Sequence, residues 1–121
     1  MSVTILTVDD SRTMRDMLRM ALAEAGFRVV QAEDGLHGLE VLRQEQPQVV
    51  ITDINMPRMD GFGFIEGMRA DPNHKATPVL VLTTESDAAK KQRAREAGAT
   101  GWIVKPFDPA KLVEAVRRVA A

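Results

Sequence analysis

Five short apolar runs, each followed by a stretch at helical spacing, constrain the fold of this chain more than any other feature. The runs are Thr4 to Val8, Arg28 to Ala32, Val49 to Thr52, Val79 to Leu82 and Trp102 to Val104. The third is β-branched and apolar at successive positions, the pattern of a strand buried on both faces. The second is weaker, as expected nearer the edge of a sheet. Strands that alternate with helices through connections of a few residues pack as a parallel sheet covered on both sides. The expected fold is therefore α/β, a three-layer sandwich with five parallel strands and helices on both faces.

The intervening stretches read as helices with identifiable ends. Met14, Met17, Leu18, Ala21, Leu22 and Ala25 fall on one stripe, expected to be buried, after Asp10 or Ser11 as the cap. Gly26 suits the left-handed residue that closes this helix. Gly35 to Gln46 carries Leu36, Leu39 and Leu42 on one face and stops before Pro47. Phe62 to Ala70 turns Phe64, Ile65 and Met68 inward, and Asp71 to Thr77 reads as a surface loop. Asp87 to Ala97 is Ala-rich and crowded with Lys90, Lys91, Arg93 and Arg95, a solvated face or a partner surface. Pro109 to Ala120 has Pro in its first turn and directs Leu112, Val113, Val116 and Val119 to the core. Met14, Met17 and Met68 are expected as ordinary core, and His37 and His74 as inert residues in or near surface segments.

Bulk properties exclude several classes. A chain of 121 residues with 45% hydrophobic and 27% charged residues is expected to form one globular domain, 1–121. The net charge of −1 gives no reason to expect nucleic acid or an anionic membrane as partner. No run approaches the roughly 18 apolar residues of a membrane span, and Asp9 and Asp10 interrupt the only apolar N-terminal run. The absence of Cys rules out disulfides and thiolate metal sites, and fits a cytoplasmic protein. No DNA-binding or enzymatic module is expected beside this domain.

The strand ends carry the chemistry. Parallel strands finish at one rim, where open α/β sheets bind ligands beside the point at which strand order reverses. The residues delivered there are Asp9 and Asp10, Asp53, Thr83 with Thr84, and Lys105. Asp53 ends the most buried strand, and Pro57 and Asp60-Gly61 then open a loop. Eight residues separate Asp53 from the next helix start at Gly61, too far for a helix cap. If the first and third strands are neighbours, three carboxylates converge. Two unit charges about 4 Å apart repel by roughly 4 kcal/mol at an effective dielectric of 20, so such a cluster requires a proton or a cation. Three carboxylates and one ammonium leave a charge that one divalent ion neutralises. An all-oxygen set suits Mg²⁺, or Mn²⁺, rather than softer metals.

Val8-Asp9-Asp10-Ser11, Ile51 to Pro57, Leu82-Thr83 and Val104-Lys105-Pro106-Phe107 resemble the receiver domain of two-component response regulators, across the whole chain. The likeness is greatest to its single-domain chemotaxis members. It implies a flavodoxin-like strand order of 2-1-3-4-5 and a phosphoryl group accepted on Asp53 from a histidine kinase. It also implies Mg²⁺ held by Asp10, Asp53 and the Asn55 backbone carbonyl, with Asp9 acting through water. In the same way Lys105 pairs with phosphoryl oxygens, Thr83 and Trp102 form the switch, and Asn55 with Glu85 tunes self-dephosphorylation. The chain departs from the family at two places: Trp102 is larger than the usual Tyr or Phe, and Thr84 stands where a small residue is commoner. The implied output is a monomer that signals by contact with a flagellar motor switch protein. A phosphorelay intermediate or phosphate sink would use the same site. Two other classes fit less well. An aspartyl phosphatase needs a second acid where Asn55 stands, and Asp9-Asp10 would repel the phosphate of a flavin in a flavodoxin-like carrier.

Overall fold

The computed structural model describes residues 2–121 and contains a five-stranded parallel sheet. Its strands are β1 (Thr4–Val8), β2 (Arg28–Ala32), β3 (Val49–Thr52), β4 (Val79–Thr83) and β5 (Gly101–Val104). They lie in the order β2-β1-β3-β4-β5, as the resemblance implied. Five helices connect or follow them: α1 (Arg12–Glu24), α2 (Gly35–Glu45), α3 (Gly61–Ala70), α4 (Ala88–Ala97) and α5 (Pro109–Ala120). β1, β3 and β4 are buried at every position, which explains their unbroken apolar runs. β2 lies at an edge and is only partly covered, matching its weaker sequence.

Alternate residues of each strand feed two cores. Ile5, Val49, Ile51, Leu80 and Leu82 pack with Leu18 and Leu22 of α1 and with Leu112 and Val116 of α5. Leu6, Val8, Val50, Val79 and Val81 pack with Leu39 and Leu42 of α2, with Phe64, Ile65 and Met68 of α3, and with Ala94 of α4. Each fully buried Leu or Ile contributes about 1.5–3 kcal/mol relative to exposure, so the two cores fix the layer order. α4 is the weakly anchored exception, with Ala94 its one buried residue.

Helix ends follow the capping chemistry of the sequence. Ser11, rather than Asp10, caps α1 by accepting from the Met14 N–H, while Asp34, Asp60, Asp87 and Asp108 cap the other four helices. Gly26 takes the left-handed conformation after α1. At Gly61 a side chain would collide with the Asp53 carbonyl, because α3 starts hard against the end of β3. Its N–H donates to the Ile54 carbonyl at 2.8 Å, closing the loop that opens after Asp53.

Some expectations from periodicity need correction. Met17 is 47% exposed and Leu36 is 43% exposed, so neither belongs to the core. The stripe of α1 is fully buried only at Leu18 and Leu22, with Met14 partly buried against the same core. The loop after α3 contains a short 3₁₀ turn, Pro72–His74. His74 there is buried, at 2% exposure, and its Nδ1 shares a hydrogen bond with Thr77 Oγ1 at 2.9 Å. Arg69 crosses the same region: its guanidinium donates to the carbonyls of His74, Thr77 and Gly98, tying α3 to the turn before β5.

Burial pushes the His74 pKa down, with the Arg69 charge adding to it and Asp71 opposing. The imidazole takes up a proton less readily in the fold than in the unfolded chain, which is protonated below about pH 6.5. Stability therefore falls as pH drops below that value and owes nothing to His74 above it. Urea unfolding at pH 7.5 and 5.5 checks this: the wild-type protein loses stability on acidification, and His74→Gln loses less.

Candidate functional site

The site begins with strand register. Val8 of β1 lies opposite Thr52 of β3, so the next residues, Asp9 and Asp53, emerge side by side where strand order reverses. The Asp53 N–H donates to the Val8 carbonyl at 2.9 Å, continuing the ladder one step past the strand. Lys105 arrives from β5, whose last residue Val104 pairs with Thr83, and its N–H donates to the Thr83 carbonyl at 2.8 Å. The Lys105–Pro106 peptide bond is cis.

The Lys105 side chain reaches across the rim and is only 11% exposed. Its Nζ donates to Asp53 Oδ2 at 2.7 Å and to Asp9 Oδ2 at 2.9 Å. The remaining oxygens are also engaged. Asp53 Oδ1 accepts from the Ile54 N–H at 2.6 Å, and Asp9 Oδ1 from the Ser11 N–H at 2.9 Å. Two nearly buried carboxylates thus share one ammonium and are aimed by backbone donors. Burial pushes the Asp9 carboxyl above the usual range, against the opposing bonds from Lys105 and Ser11. Burial pulls the Lys105 ammonium down, but its bonds to Asp53 and Asp9 outweigh that and leave it raised. Lys105 is accordingly charged at neutral pH.

Asp10 is exposed and completes the acidic group: Asp9, Asp10 and Asp53 each offer an oxygen, all within 4.8 Å of one another. One ammonium against three carboxylates leaves negative charge at the mouth. Oxygen ligands alone, with no His or Cys, fit a hard divalent cation such as Mg²⁺ or Mn²⁺.

A second group adjoins the first and centres on Glu85, in the loop between β4 and α4. Its backbone N–H donates to Thr83 Oγ1 at 3.3 Å, and its carbonyl accepts from Trp102 Nε1 at 3.1 Å. Its carboxylate accepts from Asn55 Nδ2 at 3.1 Å and from Lys90 Nζ at 2.9 Å. The Lys90 bond and then the Asn55 bond hold the Glu85 carboxyl below the usual range. Thr83 is fully buried, Trp102 is half-buried and Thr84 is exposed.

All eight candidate residues therefore lie along one rim, in two linked groups. Asp9, Asp10, Asp53 and Lys105 form the charged pocket; Asn55, Glu85, Thr83 and Trp102 form a bridge from its mouth to β5. Sequence reasoning placed Lys90 on the basic helix without its role as partner to Glu85. The pair is separated by five positions and spans a helix cap, so the i,i+4 rule does not reveal it. The Ile54 N–H has no side-chain signal at all.

Comparison with known proteins follows the same lines. Residues 5–117 match the family described as Response regulator receiver domain. A probable chemotaxis protein CheY of Rhizobium etli is 38% identical over 118 residues, covering 97% of this chain and 92% of that protein. Chemotaxis protein CheY-3 of Vibrio cholerae is 40% identical over 119 residues, covering 98% of this chain and 92% of its own length. Among solved structures, chemotaxis protein CheY4 of Vibrio cholerae has a TM-score of 0.94 at 42% identity, over 98% of this chain and 99% of that one.

Removing the shared ammonium leaves two nearly buried carboxylates facing each other. Lys105→Met is expected to cost about 3 kcal/mol of stability at pH 7, typical of breaking a buried ion pair from one side. Millimolar Mg²⁺ should then raise the melting temperature of the variant more than that of the wild-type protein. A small loss unaffected by Mg²⁺ would mean that Lys105 does not balance the acids.

Proposed function

The chain belongs to the response regulator receiver domain family, and from that premise we propose that Asp53 accepts a phosphoryl group from a histidine kinase. The observation that carries this reading is the Asp53 carboxylate held 2.7 Å from Lys105 Nζ, within a set of three acids able to share one cation. Residues 1–121 act as one receiver domain in the cytoplasm, as a monomer. Its relatives named as chemotaxis proteins support a chemotaxis pathway, with a flagellar motor switch protein as the downstream partner.

The chemistry is nucleophilic displacement at phosphorus. A carboxylate oxygen of Asp53 forms a bond to phosphorus as the bond from phosphorus to the donor imidazole nitrogen breaks; that nitrogen keeps the electron pair, and the proton on the other ring nitrogen makes the departing histidine neutral, leaving an acyl phosphate on Asp53. The Ile54 N–H holds one oxygen of the nucleophile in place. Lys105, relieved of the Asp53 charge, moves its ammonium to a phosphoryl oxygen. A divalent ion, when held by Asp10, Asp53, the Asn55 carbonyl and (through water) Asp9, supplies positive charge to the oxygens of the transferring group. The phosphoryl brings about −2 while Asp53 loses its charge, so the site becomes more negative by one. Water attacking phosphorus in line breaks its bond to the Asp53 oxygen, releasing inorganic phosphate and restoring the carboxylate, a weak self-phosphatase activity tuned by Asn55 and Glu85.

Thr83 reads the change. Its oxygen now accepts from the Glu85 N–H; with a phosphoryl group present the hydroxyl donates to it, a bond to a charged partner that contributes about 1.5–3 kcal/mol. A full two-state shift takes about 5.5 kcal/mol, so Thr83 alone falls short: either Lys105 contributes or the shift is partial. The Glu85 backbone touches both Thr83 and Trp102, so movement at one is felt at the other. The altered surface is α4, with Lys90, Lys91, Arg93 and Arg95, together with β5 and α5.

Incubation with a small-molecule phosphodonor and Mg²⁺ tests the assignment by intact mass. One phosphoryl group is expected, removed by neutral hydroxylamine and absent from Asp53→Ala. A label that persists in Asp53→Ala, or that resists hydroxylamine, would sink the reading.

A further inference from the structure

The loop that follows Asp53 contains a residue whose backbone and side chain are both unusual. Arg58 has φ +64°, the left-handed region that favours glycine. Its guanidinium forms a fork on Asp34, with Nε to Oδ2 at 2.8 Å and Nη2 to Oδ1 at 3.1 Å. Asp34 lies outside the charged pocket, and its side chain is only 4% exposed. It also caps α2 by accepting from the His37 N–H at 2.9 Å. A carboxylate so deeply buried needs a cation, and Arg58 supplies it; the pair holds the Asp34 carboxyl below its usual range.

The adjacent backbone is fitted to the same place. The Gly35 N–H donates to the Met59 carbonyl at 3.0 Å, and a Cβ on Gly35 would meet that carbonyl oxygen at 2.6 Å. Residues 58 and 59 are therefore seated directly on the first turn of α2. Upstream, the Ile54 carbonyl is fixed by Gly61. Asn55 lies between these two anchors, with its own side chain bound to Glu85.

We propose that Arg58 is a positioning residue for the phosphoacceptor site: its fork to Asp34 fixes the loop so that the Asn55 carbonyl and the Asp53 carboxylate are in place before a divalent cation binds. The inference rests on the functional reading above, because it needs the cation to bind there. Arg58 touches none of the reacting groups. Its fork is bidentate, which fixes orientation as well as distance; Lys, with a single point charge, does not reproduce it. Its effect should appear in cation affinity and leave the chemical step alone.

Mg²⁺ titration by calorimetry, on the full chain, tests this with Arg58→Gly and Asp34→Asn. The Gly variant removes the fork together with the backbone strain, while the Asn variant keeps a good helix cap and removes the charge. Both are expected to bind Mg²⁺ about tenfold more weakly, the effect typical of losing a partner that orients a metal ligand. Both should reach the wild-type rate of phosphorylation by a small-molecule phosphodonor once Mg²⁺ is saturating. Arg58→Lys should recover only part of the affinity. Wild-type Mg²⁺ affinity in both Arg58→Gly and Asp34→Asn overturns this inference alone. A lower rate that persists at saturating Mg²⁺ also overturns it, by showing a disturbance of the chemistry itself. If the wild-type protein takes up no Mg²⁺, the functional reading falls and this inference falls with it.

Discussion

One ammonium shared by two carboxylates holds the rim of this sheet together. Lys105 lies within 2.9 Å of oxygens on both Asp9 and Asp53, residues that come from separate strands and would otherwise repel each other. At an effective dielectric near 20, charges about 4 Å apart interact by roughly 4 kcal/mol. That is comparable to a large share of the net stability of a small domain. The fold makes this concentration of charge possible because every parallel strand ends at the same edge. Residues 96 and 52 positions apart meet there through register alone. The balance is incomplete, since Asp10 adds a third acid, and the shortfall leaves the pocket ready for a hard cation.

The second consequence is communication. Glu85 is bound through its N–H, its carbonyl and its carboxylate, to Thr83, to Trp102 and to Asn55 with Lys90. Few apolar side chains hold α4 to the sheet. Its attachments include Ala94 and the partly buried Ala97, the Lys90 pair with Glu85, and the Arg93 guanidinium 4.0 Å above the Phe62 ring. A segment with little buried apolar area has low local stability and shifts readily. In the proposed switch, a change at the Thr83 side chain reaches α4 and the Trp102 indole through Glu85. The Trp102 indole enters as a hydrogen-bond donor, which a Phe at the same position would not offer.

The layer order, all five strands and the polar residues at their ends were legible in the sequence, because apolar runs and strand ends are local signals; the pairing of β1 with β3 that brings Asp9, Asp10 and Asp53 together was implied only by the family resemblance. Periodicity was less informative on how much of a helix face finds a partner. Met17 and Leu36 sit at helical spacing yet face solvent. His74 reads as a loop histidine until Thr77 and the Arg69 contacts enclose it. The Arg58 fork was invisible for a different reason. Asp34 looks like an ordinary helix cap, and nothing local links it to an arginine 24 positions later. Ion pairs between distant loops carry no periodic signature; only the folded chain shows them.

The central claim is that acids from separate strands hold one divalent ion beside Asp53. Paramagnetic broadening of amide resonances on titration with Mn²⁺ tests it most directly. The account predicts that the signals of Asp10, Asp53, Ile54, Asn55 and Lys105 broaden first, at substoichiometric Mn²⁺, and that Asp10→Asn largely abolishes the effect. Broadening that begins elsewhere, for example around Glu33 or Glu114, while those five signals stay sharp would contradict it.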